Sequence, residues 1–357
     1  MEKKKIAVHV QPNYNNSFSK LWIEFINATP DFIAVPTDMK SEYTLGKILD
    51  CKGVMWHFRH TPQDKMVAQR LLTVIEKGLN IPVWPDFNTR WHFDEKNSEY
   101  LFLKAINAPV VPSWCFWQYK EAKAFLESTN EYPFVYKLSV GAGAANVVKI
   151  NNCQEALVYL NLMFKKGVFP YTSNEYKYFS MEGNKNYVGF GQRLFEAGAY
   201  LLKKKIPSLP WYYAIQKDYF YVQKFIAKNE YDIRITIIGN KAFGFVRHNR
   251  VDDFRASGSG SIEYSIDLIP LEAIEIAFNI SQKAGFQCMA YDFLVDDMGN
   301  PLINEMCYCF NSRAVYNCPG FWDSNMKYHK GHLWPQEVQV HNFLQMIRMR
   351  EHQVLSR

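Results

Sequence analysis

Residues Ala290-Tyr-Asp-Phe-Leu-Val-Asp-Asp-Met-Gly-Asn-Pro-Leu-Ile-Asn-Glu305 decide how this chain is read. Two apolar runs flank Gly299-Asn300-Pro301, the local signature of a β-hairpin. A hairpin symmetric about Met298 and Gly299 sets Asp292 opposite Glu305. Opposed side chains hold their Cβ atoms ~4.5–5.5 Å apart, where like charges destabilise the sheet. A positive group is therefore expected between them. A hard divalent cation with oxygen ligands fits, and magnesium is commonly held by one or two carboxylates plus phosphate oxygens. The plain alternative is an exposed hairpin carrying two solvated acids.

The 357 residues suggest two or three domains, and 48% hydrophobic with 16% aromatic content describes packed globular structure rather than disorder. The formal charge of +6 is dispersed, with no long basic block and no nucleic-acid recognition motif. No apolar stretch approaches the ~18 residues of a membrane span. The opening apolar run stops at Gln11-Pro12, too soon for a signal peptide. The seven cysteines are scattered without zinc spacing, which points to a reduced, cytoplasmic setting. His57, His60, His329 and His332 are not spaced as a metal site and read as satisfied structural or surface residues.

Upstream of the hairpin, residues 1–90 alternate strand-like runs (Ile6–Val10, Phe32–Val35, Val54–Phe58, Ile81–Trp84) with amphipathic stretches, the pattern of an α/β layer with a parallel sheet. Helices are expected at Asn97–Asn107, Tyr119–Ser128, Leu271–Ala284 and Pro335–Arg350. Residues 161–218 have weak periodicity and read as an inserted flap. Domains are expected at 1–90, 91–222 with that insertion, and 223–357.

Tyr132 to Ile150 carries Lys137 on a strand, then Gly141-Ala-Gly143, then Val147-Val-Lys-Ile150. Small residues let backbone N–H groups approach phosphate oxygens, and the lysine adds charge. A dinucleotide fingerprint needs a third glycine opening a helix, but Asn146 and a strand pattern follow, so a hairpin loop over a nucleotide or an ordinary tight turn remains. In Asp232-Ile-Arg234-Ile-Thr-Ile-Ile238 the isoleucines share one face and Asp232, Arg234 and Thr236 the other. Arg247, Arg250 and Arg255 follow beside Ser257-Gly-Ser-Gly260, and arginine forks suit phosphate and carboxylate oxygens. Surface salt bridges to Asp232, Asp252 and Asp253 are the alternative.

Taken in order, Lys96, Lys137 with its Gly loop, Gln223-Lys-Phe-Ile226, Asp232-Ile-Arg234, Asp253-Phe-Arg255, Asp292 and Glu305 resemble the ATP-grasp superfamily, nearest its RimK-like branch, over residues 86–312. The resemblance implies an α+β ATP-grasp fold preceded by a Rossmann-like α/β domain. It implies an enzyme, a carboxylate–amine ligase using ATP and Mg2+ through an acylphosphate. By it, Lys96, Lys137, Gly141 and Gly143 contact the nucleotide, and Gln223, Lys224, Phe225 and Ile226 form the adenine-side hinge. Arg234 and Arg255 steady the transferred phosphate or the acceptor carboxylate. Asp292 and Glu305 hold the metal. The usual Glu-x-Asn is here Glu305-Met-Cys307, a soft ligand ill matched to magnesium, so Asn304, Asn311 or water would complete the site. A looser likeness in Asp253-Phe-Arg-Ala-Ser-Gly-Ser-Gly260 and Phe321-Trp322, to ATP-grasp proteins of surface-polysaccharide synthesis, implies a sugar acid or amino acid as substrate. Two other functions are open: a non-catalytic nucleotide-binding protein, and a phosphotransferase acting on a hydroxyl. A homo-oligomer is compatible with the sequence.

Overall fold

The β-branched and aromatic runs fold into three sheets in a computed structural model that describes residues 2–10, 18–141, 146–168, 170, 215–250, 254, 256 and 260–355. The chain divides into two compact units, residues 1–111 with 226–357, and residues 112–225. In the first unit, β1 (Lys4–His9), β2 (Phe32–Thr37), β3 (Gly53–Met55) and β4 (Val83–Trp84) form a parallel sheet of order β2-β1-β3-β4. Its central strands read as continuous apolar runs because both faces are covered: Ile6, Ala7, Val8, Val54 and Met55 are fully buried. Gly53 is required by a close approach, since a Cβ there would come within 2.8 Å of Phe343 and Ile347 on the long helix Pro335–Leu355.

In the second unit β5 (Ser113–Phe116), β6 (Phe134–Lys137), β7 (Val147–Ile150) and β8 (Phe220–Lys224) form an antiparallel sheet of order β5-β8-β6-β7. The helices Tyr119–Ser128 and Cys153–Lys165 accompany it. The second helix corrects the expected start of the irregular excursion at 161. Ala156, Leu160 and Met163 recur at helical spacing and are buried, so the helix continues to Lys165. Residues 171–214, most of the expected flap, lie outside the described residues.

The third sheet returns to the first unit. It contains β9 (Tyr231–Ile238), β10 (Lys241–His248), β11 (Ile262–Glu263), β12 (Cys288–Val295), β13 (Pro301–Cys307), β14 (Gly320–Asp323) and β15 (Tyr328–Lys330), in the order β13-β12-β9-β10-β14-β15, with β11 beside β10. Ile233, Ile235 and Ile237 are buried on one face with the helix Leu271–Ala284 packed on β9 and β12. Burying each such side chain is worth roughly 1.5–3 kcal/mol. That helix stops where Gly285 takes the left-handed conformation, φ +67°. The helix Lys96–Ala105, which the sequence groups with 91–222, belongs with the first unit. The chain that follows it bonds to β13, with Ile303 N donating to Pro109 O (2.8 Å) and Val111 N to Ile303 O (3.0 Å).

Candidate functional site

Asp292 lies on β12 between two opposed neighbours, Arg234 on β9 and Glu305 on β13. The opposition of Asp292 and Glu305 is the one expected from the sequence, but it is reached differently. Nearer the turn, Phe293 pairs with Ile303 and Val295 with Pro301, so the hairpin is centred on Met298, and a bulge at Asn304 restores the Asp292–Glu305 pair. Alternation then sets Asp232, Arg234, Arg247, Asp292, Glu305 and Cys307 on one face of the sheet, opposite the isoleucine face.

The positive charge beside Asp292 is a guanidinium. Arg234 Nε donates to Oδ1 at 2.6 Å and Nη2 to Oδ2 at 2.7 Å, a bidentate fork. Arg247 Nη2 reaches the same Oδ2 at 2.7 Å, and Arg247 is itself gripped by Asp232 through Nε (2.7 Å) and Nη2 (2.5 Å). The salt-bridge alternative thus holds for Arg247 and Asp232, as a buried pair rather than a surface one. Burial pushes the Asp292 carboxyl up, and the two arginines more than undo this, holding it well below the usual range. Asp232 is pushed up to about 6 by burial and by the Asp292 charge, against the pull of Arg247.

Glu305 has its own cation. Lys96, at the start of its helix, brings Nζ to 3.2 Å from Glu305 Oε1. Burial opposes the Lys96 charge, and Glu305, Asp94 and Glu99 together more than restore it. Glu99, one helical turn after Lys96, accepts from Met306 N (3.5 Å), and burial with the Glu305 charge raises its carboxyl well above the usual range. Sequence reading missed Glu99 as a member of the site, and placed Arg247 among the arginines of the polar surface without giving it a role. The i, i+3 spacing of Lys96 and Glu99 was a signal for the former.

Asn311 caps the helix Ser312–Tyr316, its Oδ1 accepting from Arg313 N (2.9 Å) and Ala314 N (3.1 Å). Cys307 donates its thiol to Cys309 O (3.2 Å), and burial keeps the thiol protonated. Gly143, Asp253 and Arg255 lie outside the described residues. In the second unit Lys137 ends β6 and is buried, Leu138 N donates to Asn146 O (3.3 Å), and Gly141 has φ +111°, so the glycine loop joins antiparallel β6 and β7. Gln223 is buried on β8, Lys224 pairs with Glu131 (2.8 Å), and Lys149 Nζ sits 4.1 Å from the Phe225 ring centre. The boundary between the units falls between Phe225 and Ile226.

Two carboxylates on adjacent strands fit a hard divalent cation that arrives on phosphate oxygens. They do not form a cage for a resident ion: among the described residues no three His, Cys, Asp or Glu side chains gather as metal ligands. The histidines are not all satisfied as expected. His329 bonds Asp323 (2.7 Å) and His332 bonds Tyr316 O (2.9 Å), whereas His57 Nε2 is sealed without a partner among the described residues.

No protein-family model matches the sequence, and no curated protein matches it in sequence. Solved structures cover nearly the whole chain. It is similar to a RimK domain ATP-grasp protein from Sphaerobacter thermophilus (TM-score 0.53, 12% identity, 95% of this chain and 98% of that one). It is also similar to the D-cycloserine synthetase DcsG (0.55, 11%, 95% and 99%). A third similar structure is D-alanine–D-alanine ligase from Bacillus anthracis complexed with ATP (0.53, 10%, 98% and 100%). At these identities the likeness is one of fold, and the chain has the ATP-grasp fold. No helix among the described residues is long and apolar enough to cross a membrane.

Proposed function

We propose that the protein is a ligase that joins a carboxylate to an amine, using ATP with magnesium and passing through an acylphosphate. The observation that carries this reading is Asp292 flanked by Arg234 and Glu305, with Lys96 on Glu305, in a fold shared with a D-alanine–D-alanine ligase solved with ATP. In this reading a substrate carboxylate oxygen attacks the γ-phosphorus and the bond to the ADP oxygen breaks. The amine then attacks the acyl carbon, loses a proton, and inorganic phosphate leaves. Arg234 offers a planar fork to the charge that develops on the transferred phosphoryl oxygens, and Arg255 is assigned to the same task. Lys96, Lys137, Gly141 and Gly143 take the nucleotide phosphates, and Gln223 to Ile226 take the adenine. Asp292 and Glu305 are the residues that would hold magnesium, which supplies charge neutralisation on the phosphates when bound. The acid is a sugar acid or an amino acid, and surface-polysaccharide modification is the setting that the Asp253–Gly260 likeness suggests.

Incubation with MgATP and paired acids and amines should release ADP and phosphate only when both acceptors are present. Asp292→Asn and Lys137→Ala should each lower that turnover by about 10²–10³-fold. Unchanged turnover in both variants would remove the site assignment. One observation favours a second reading, a nucleotide-binding protein without turnover: both Asp292 oxygens are already held by arginines. In that case ATP raises the melting temperature by binding the folded state, yet no ADP accumulates with any acceptor.

A further inference from the structure

The two arginines on Asp292 are not equivalent. Arg247 is anchored twice, by a bidentate pair with Asp232 and by its contact with Asp292. Among the described residues Arg234 is anchored once, on Asp292, and its side chain is the more exposed of the two, 17% against 9%. Two arginines balance Asp232 and Asp292, and Lys96 balances Glu305, so in this arrangement these carboxylates present no net charge to a cation. Three guanidinium N–H donors also take three of the roughly four lone-pair sites of Asp292, one on Oδ1 and two on Oδ2, leaving little for a metal. Glu305, about one-third exposed, is then the lone accessible carboxylate of the pair.

We propose that Arg234 is a displaceable clamp that closes Asp292 to divalent metal until a nucleotide phosphate draws it away, while Arg247, braced by Asp232, stays to position the freed carboxylate. The proposal rests on the nucleotide-site reading above and adds an order of assembly: metal enters with the phosphates or after them, and not before. The exchange conserves charge. The Arg234 guanidinium leaves one carboxylate for one phosphate oxyanion, and the site beside Glu305 gains the negative charge and free lone pairs that a hard cation requires. Arg247 cannot make the same move without abandoning buried Asp232, for which it is the bidentate partner.

Mn2+ titration of nucleotide-free protein, followed by electron paramagnetic resonance, tests the clamp with no turnover involved. The wild-type chain should bind Mn2+ at least about 100-fold more weakly than Arg234→Met, because removing the guanidinium opens Asp292 beside Glu305. Adding Asp292→Asn to Arg234→Met should abolish the gained site. Arg234→Lys, which keeps the charge but loses the fork, provides a second variant with the same direction of change. The proposal is overturned if the nucleotide-free wild type binds Mn2+ as tightly as the variants, if the folded variants gain no site, or if the gained site survives Asp292→Asn. Failure of the nucleotide reading would register separately, as an unchanged melting temperature on adding ADP to the wild type.

Discussion

Two buried polar clusters in the same unit solve burial in opposite ways. On the face of β9, β12 and β13, Asp232, Arg234, Arg247 and Asp292 remain charged, and every carboxylate oxygen has a guanidinium donor. Around the carboxyl ends of β1 and β3, polar rings stay neutral instead. His9 Nδ1 accepts from Met39 N (3.0 Å), which leaves the ring proton on Nε2, and neither that nitrogen nor Trp56 Nε1 has a partner among the described residues. Their rings lie 4.5 Å apart, while His57 stacks on Phe18 at 3.9 Å. Charge is kept on the face proposed to meet a ligand, and discarded where rings fill space.

The largest way to break this comparison is to remove one partner from the charged cluster. Arg247→Met leaves Asp232 buried without its fork and should cost about 3–5 kcal/mol in urea unfolding. Adding Asp232→Leu to that variant should recover most of the loss, because replacing a buried pair by apolar side chains is often nearly neutral. If the double variant were no more stable than the single one, unpaired charge would not be the reason for the cost.

Acid separates the clusters next. Burial lowers His9 to about 4, helped by Lys40 and opposed by Asp38 and Asp64; it lowers His57 to about 3 and His92 to about 4. Between roughly pH 4 and the ordinary value of 6.5 the unfolded chain therefore binds protons that the folded chain refuses, and stability falls as pH falls through that window. At roughly 1.4 kcal/mol per pH unit, each histidine contributes on the order of 3–5 kcal/mol at neutral pH relative to strong acid. Asp232, raised to about 6, acts in the opposite sense: the folded form holds its proton more firmly, so its contribution is lost as pH rises from about 4 to 6. Melting temperatures taken from pH 4 to 7 should rise with pH, and more steeply in Asp232→Asn. A flat profile in that variant would contradict buried neutral histidines.

The charged cluster was partly legible in the sequence and the neutral one hardly at all. Asp232, Arg234 and Thr236 alternate with Ile233, Ile235 and Ile237, so one face of β9 was readable as polar from a single strand. The turn at Gly239-Asn240 and the helices Tyr119–Ser128 and Leu271–Ala284 were readable for similar reasons, since their periodicity and end signals are local. Which acid each arginine meets depends on strand order, and β12 inserts between β9 and β13 only in the folded sheet. That insertion converts an expected carboxylate–metal pair into an arginine–carboxylate–carboxylate row. The bulge at Asn304 was invisible as well, because pairing arithmetic assumes an unbroken ladder. His9 and Trp56 become neighbours through the parallel pairing of β1 with β3, across more than forty residues that carry no local sign of it.

The smallest expected effect sharpens the contrast most. His57→Phe keeps a flat ring against Phe18 and removes a sealed nitrogen that has no hydrogen-bond partner among the described residues. Deleting an unsatisfied polar atom while preserving the packing should shift stability by less than about 1 kcal/mol at pH 7, in either direction. Its signature is instead the slope. With His57 gone, one group no longer takes up a proton on unfolding in acid, so the fall in melting temperature between pH 6.5 and 4 should be shallower than in the wild type. A loss at pH 7 comparable to that of Arg247→Met would mean that the His57 nitrogen is paired after all, and that both clusters keep their polar groups by the same rule.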